Sequence, residues 1–197
     1  MSAGADRNPG PGMNPAALPL SDAIAGLDRL QAAAAEALFL QVSHSAYWTT
    51  RMLARRPFSN AAALSAAAAE SWDGAEESDW LEAFAGHPEI GDVEHLRKRF
   101  DARALREQGQ VLVADPATLD ALARLNQDYR ARHGFIFIIR AAGLSAEHML
   151  LALRARIDRS RDTELVEAAR QHASITWLRL EAALVASGQD SAEPGAP

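Results

Sequence analysis

The chain has 197 residues, 48% of them apolar, enough for one domain with a real hydrophobic core. Its formal charge of −6 excludes a general nucleic-acid binder, which needs a basic face for phosphates, and the lack of cysteine excludes disulfides, thiolate nucleophiles and Cys-ligated metal centres. No apolar run approaches the roughly 20 residues of a membrane span. The opening "MSAGADRNPGPGMNPAALPL" lacks the charged start and apolar stretch of a signal peptide, so a soluble cytoplasmic protein is expected.

Residues 1–18 are rich in Gly, Pro, Asn and Ala and read as a disordered tail, as do residues 188–197. Between them, 19–187 read as a single helical domain. Ser21 caps a first helix over "DAIAGLDRLQ", and a second covers about 31–55 until Pro57 in "RRPF" stops it. Asn60 caps an Ala-rich helix to about Trp72; Ser78 caps "DWLEAFAGH". Another helix runs over about 93–110. Asp115 and Pro116 open the next, which ends at Gly134, a residue suited to a left-handed C-cap. "FIFII", 135–139, reads as an extended segment buried among helices, since no partner strand exists for it. Ser145 caps a helix to about Ile157, and the last starts at Asp162 and finishes before Gly188, with Leu165, Ala169, His172, Ile175, Leu178 and Leu180 on its apolar stripe. The fold class is all-α, a multi-helix bundle.

The polar residues with chemical potential are few. His87 precedes Pro88, which disfavours the helical conformation before it, so His87 marks a helix end. The partial negative charge there should raise its pKa and allow proton transfer near neutrality. A solvated histidine at a helix cap satisfies the same residues. "HPEIGDVEH" also gathers His87, Glu89, Asp92, Glu94 and His95, but its spacing fits no familiar helical zinc pattern and a turn with mixed charges explains it better. Glu107 and Gln108 in "REQ" suit a catalytic carboxylate and an orienting amide, or simply an exposed helix face. "RARIDRSRDTE" clusters Arg154, Arg156, Arg159 and Arg161, whose planar forks suit a carboxylate or ureido group, or pair with the neighbouring acids. His172, on the apolar stripe, reads as a satisfied core residue; His44, His133 and His148 have no evident partner.

Taken in order, these pieces resemble the 2-oxo-4-hydroxy-4-carboxy-5-ureidoimidazoline (OHCU) decarboxylase family of urate breakdown. "HSAYW" and "ARRPF" match its early aromatic and Arg-Pro-Phe segment, "GHPEIGD" its His-Pro turn and "REQ" its Glu-Gln pair. "LNQDYRARHGFIFII", "LRARI" and "RDTELVEAARQHASITWLRLEAAL" match its later landmarks, and the resemblance covers about residues 22–185. It implies a cofactor-free carboxy-lyase without a metal, forming (S)-allantoin and carbon dioxide from a small anionic ureidoimidazoline. His87 and Glu107 take the family's catalytic roles; Pro88, Gln108, Phe137, Ile138 and Arg156 take its substrate contacts, with backbone N–H groups within 135–138 as further donors. Such an enzyme needs neither nucleic acid nor membrane, and a homodimer is compatible with it.

Three departures stand out. Ala104 replaces a frequent substrate-contacting serine, Ile136 a common proline, and Arg159 a frequent asparagine. They leave room for a decarboxylase of a related cyclic ureide, or for a non-catalytic helical module that binds a small acid or a partner protein.

Overall fold

A computed structural model describes residues 20–87 and 115–190, with side chains as far as Ala186. Eight helices lie among the described residues: α1 Leu20–Arg29, α2 Ala32–Ser43, α3 Ala46–Ala54, α4 Ala61–Glu70, α5 Glu77–Ala85, α6 Pro116–His133, α7 Ala146–Arg156 and α8 Arg161–Asp190. The all-α expectation holds. The helix expected over 93–110, the "PEIGDVEH" turn after His87, and residues 1–18 and 191–197 of the two tails lie outside the described residues.

Local chemistry explains most helix ends. Asn60 accepts from the Ala63 N–H at 2.9 Å to start α4, and Ser145 accepts from the His148 N–H at 3.3 Å to start α7. Pro116 occupies the first turn of α6, and Gly134 ends that helix at φ 80°. Segment 135–139 forms no helix or strand and is largely buried, with Phe135, Phe137 and Ile138 in the core.

Four boundaries differ from the sequence expectation. α1 begins at Leu20, so Ser21 lies inside its first turn. The single helix expected over 31–55 is two: His44 adopts φ 53°, and Ser45 turns extended and caps α3 by accepting from the Trp48 N–H at 3.2 Å. The hydroxyl of Ser43 donates back to the Phe39 carbonyl at 2.8 Å, a local bond that competes with continuing the helix. α5 is capped by Glu76 rather than Ser78, in a capping box in which the Glu76 N–H donates to Asp79 at 2.8 Å. Finally, α8 runs through Gly188 to Asp190, because a glycine in a helix costs only about 1 kcal/mol and does not end it unaided.

The 30-residue α8 is the organising element, about 45 Å long at the helical rise. It packs on α1, α2, α4, α5 and α6. Its Leu180 and Leu184 enter a core with Ile24, Leu27, Phe39, Trp48, Met52 and Leu64. Its Ala168 and Ala169 enter a second, with Phe84, Leu122, Tyr129, Phe137, Met149 and Leu153. Trp80 of α5 packs against both cores. The Arg-Pro-Phe landmark is a fastener for this frame: Arg56 Nη2 lies 2.6, 2.8 and 2.9 Å from the carbonyls of Leu30, Asp28 and Leu27 at the end of α1, and the Phe58 N–H donates to Asp28 at 2.8 Å. No helix among the described residues is long and apolar enough to cross a membrane.

Candidate active site

His87 follows Gly86, the C-cap of α5, its N–H donating to the Phe84 carbonyl at 3.0 Å. Its Nε2 lies 2.8 Å from Nδ1 of His172 on α8. The other nitrogen of His172 lies 3.0 Å from the carbonyl of Ser43, the last residue of α2, and 3.3 Å from the Thr176 hydroxyl. The His172 ring is wholly buried, edge-on to Trp72 at 5.3 Å, Phe84 at 5.9 Å and Trp80 at 6.4 Å between ring centroids. His44 completes the cluster, its ring 6.0 Å from that of His87.

The environment disfavours charge on these rings. Burial pushes the His87 pKa down from 6.5 to about 4, with the Arg179 guanidinium and His44 adding to the effect. His172 is pushed down to about 3, by burial first, then by His87, with the Ser43 carbonyl pulling the other way. His44 is lowered by burial and Arg179. This reverses the expected rise at His87. A helix end supplies about 0.3–1 kcal/mol at an exposed site, whereas each pKa unit is about 1.4 kcal/mol, and desolvation in this pocket is the larger effect. His87 is therefore neutral at pH 7, a proton acceptor rather than a standing acid.

A second polar group lies against segment 135–139. Arg156, buried near the end of α7, donates from Nε to Glu164 Oε2 at 2.8 Å and from Nη1 to the Ile138 carbonyl at 3.0 Å, with Nη2 also 2.8 Å from Glu164. Its guanidinium lies 4.5 Å from the Phe137 ring centroid. The Tyr129 hydroxyl donates to the same carboxylate at 2.7 Å, and Arg159 reaches its other oxygen at 3.4 Å. Arg161 instead donates to the His133 carbonyl and pairs with Glu77. Gly134 and Arg140 bracket the segment with backbone N–H groups bonded to the Arg130 carbonyl and to Gln171 Oε1. Between them, the N–H groups from Phe135 to Ile139 meet no acceptor among the described residues.

Of the site residues named from sequence, Phe137, Ile138 and Arg156 thus come together. His87 belongs to the imidazole cluster, and the Phe84 ring links the two groups, 5.6 Å from the Phe135 ring and 5.9 Å from that of His172. Pro88, Glu107, Gln108 and Ala104 lie outside the described residues. Sequence reasoning missed His172, His44 and Arg179. The available signal was a histidine set within the apolar stripe of a long helix, where a polar ring needs a partner.

An α-helical domain that keeps an imidazole neutral, and whose segment 135–139 carries N–H groups that meet no acceptor among the described residues, has parts suited to acid–base chemistry. The chain belongs to the OHCU decarboxylase family, a family of carboxy-lyases, whose profile matches residues 28–181. It is 39% identical over 106 residues to a uric acid degradation bifunctional protein of Arabidopsis thaliana, covering 52% of this chain and 33% of that protein. It is 30% identical over 133 residues to the 2-oxo-4-hydroxy-4-carboxy-5-ureidoimidazoline decarboxylase of Halalkalicoccus jeotgali, covering 66% of this chain and 73% of that protein. The chain therefore spans about a third of the plant relative and most of the archaeal one. Among solved structures it resembles an OHCU decarboxylase determined in the presence of (S)-allantoin, with TM-score 0.60, 29% identity and coverage of 74% of this chain and 96% of that one.

Proposed function

We propose that this chain removes carbon dioxide from OHCU to give (S)-allantoin in urate degradation, without a cofactor, in the cytoplasm and within a domain spanning 19–187. The observation that carries this reading is the likeness, over 96% of its length, to an OHCU decarboxylase solved in the presence of that product. The substrate is a small anion; neither nucleic acid nor membrane takes part, and a homodimer is compatible with the reading.

Loss of the carboxylate as carbon dioxide leaves an electron pair that forms the C=C bond of an enol, while the neighbouring ring C=N bond opens onto its nitrogen, which takes a proton from solvent. The hydroxyl proton then leaves and a proton joins the adjacent ring carbon, which becomes the stereocentre. Neutral His87 is suited to take the hydroxyl proton and return it to carbon on one face. The N–H groups of 135–139, which meet no acceptor among the described residues, would stabilise the developing oxyanion, as preorganised donors do. Arg156 fixes that segment through the Ile138 carbonyl and offers its remaining N–H groups to the substrate. In this reading Pro88, Phe137, Ile138 and Gln108 take the family's substrate contacts, and Glu107 its second catalytic role.

The test is OHCU made in situ from urate by the two upstream enzymes, followed by ultraviolet absorbance and by the circular dichroism of allantoin. Added protein should speed the decay and give one-handed product, and His87→Ala should lower turnover by about a hundredfold or more, as for a lost acid–base group. Decay at the spontaneous rate to racemic allantoin, with the protein folded, overturns the reading.

A further inference from the structure

The bond between His87 and His172 has a direction, set by an atom far from both in sequence. The Ser43 carbonyl can only accept, so the His172 nitrogen 3.0 Å away, Nε2, carries a proton. The Thr176 hydroxyl, 3.3 Å from the same nitrogen, serves as a second acceptor. A neutral His172 then presents a bare lone pair at Nδ1, and the His87 nitrogen 2.8 Å from it must donate. That leaves Nδ1 of His87 as its free lone pair.

The reverse direction requires a doubly protonated His172. Its surroundings oppose that charge from every side. Trp72, Trp80 and Phe84 face it from the α4–α5 turn and from α5; Arg179 of α8 and His44 act on it as further cationic or titratable neighbours. No carboxylate among the described residues offers compensation, and an uncompensated buried charge is costly.

We propose that His172 is a positioning residue for the decarboxylation: anchored on the Ser43 carbonyl, it fixes His87 in the Nε2–H tautomer and directs the basic Nδ1 to the substrate. The proposal rests on the reading of His87 as the base. It also gives the break between α2 and α3 a purpose. Ending α2 at Ser43 frees that carbonyl from the helix ladder, and the helix end adds negative character to it as an acceptor.

Long-range proton–nitrogen correlation spectra of the full chain with 15N-labelled histidine read the tautomers directly. Both His87 and His172 should appear as neutral Nε2–H rings at pH 7. A His87 ring protonated at Nδ1, or a doubly protonated His172, overturns the proposal whatever the activity.

Variants supply the functional arm. In His172→Gln the side-chain amide can still donate to Ser43 and accept from His87, so kcat should stay within about threefold, whereas His172→Leu should lose at least about tenfold in kcat with KM little changed, as when the partner that orients a base is removed. Equal kcat in the two variants, both folded, overturns the positioning role. Full activity in His87→Ala would remove the base itself and the proposal with it. A dead His87→Ala with the wrong tautomer in the spectrum removes this proposal alone.

Discussion

Arg179 stands half-buried on α8, donating to the Val42 carbonyl at 3.4 Å, with no carboxylate among the described residues to pair it. Burial holds its own pKa below the usual range, and its charge acts on His44, His87 and His172 together. A base must be unprotonated to work, so activity should fall only as pH drops through the His87 pKa of about 4. Replacing Arg179 by Met removes a repulsive cation and should move the acid limb of kcat/KM upward, toward 6.5 without reaching it, because burial is the larger cause. An acid limb that stays near pH 4 in Arg179→Met would take the guanidinium out of the field of His87. None of this was legible from "WLRLEAAL", which shows an arginine between leucines and nothing of what lies across the bundle. His172 was legible as a core residue, and it is wholly buried; its partners at 43 and 87 belong to other helices and leave no local pattern.

At the scale of elements, the ends of α2 and α5 meet. Gly86 follows α5, and a Cβ built there would run into Cβ and Cγ of His44, which itself sits at φ 53°. Gly86→Ala should therefore destabilise the fold by about 1–3 kcal/mol, the usual range for overpacking. His44→Ala would leave the obstructing Cβ in place, so only His44→Gly opens the space, and it also suits the left-handed backbone. In urea denaturation the double variant His44→Gly/Gly86→Ala should regain most of what Gly86→Ala loses. Simple additivity of the two single changes would show that the contact is not shared. Sequence reading succeeded where a cap is a short-range bond, as at Asn60, Ser145 and Gly134. It failed at 44–45 because apolar residues continue across the break at near-helical spacing, so periodicity bridges a turn made by two serines and a histidine. It could not find the Arg156–Glu164 pair as a pair, since both residues also read as ordinary solvated charges at a helix junction.

For the whole molecule, the consequence of burying these rings is a pH-dependent fold. α8 carries His172 between two cores, where α2 and α5 close over it, so native packing and a neutral ring come together. In the unfolded chain His172 and His87 titrate near 6.5; in the folded chain their pKa values fall to about 3 and about 4. Between those limits the unfolded state binds protons that the native state does not, so stability is full above pH 6.5 and declines as pH drops. For wholly buried His172 the loss reaches about 2 kcal/mol by pH 5; part-exposed His87 and His44 add in the same direction with smaller weight. Glu167, lowered to about 2 by its bond to Arg170, also loses stability with acid, but only below its ordinary value of 4.5, so the window from 6.5 to 5 isolates the imidazoles. Urea midpoints measured across that window should fall steadily for the native chain and less steeply for His172→Gln, which has one fewer buried base to protonate on unfolding. A flat native profile from pH 7 to 5 would mean that the rings titrate alike in both states, and the neutral imidazole pair would then be lost as the core of the site.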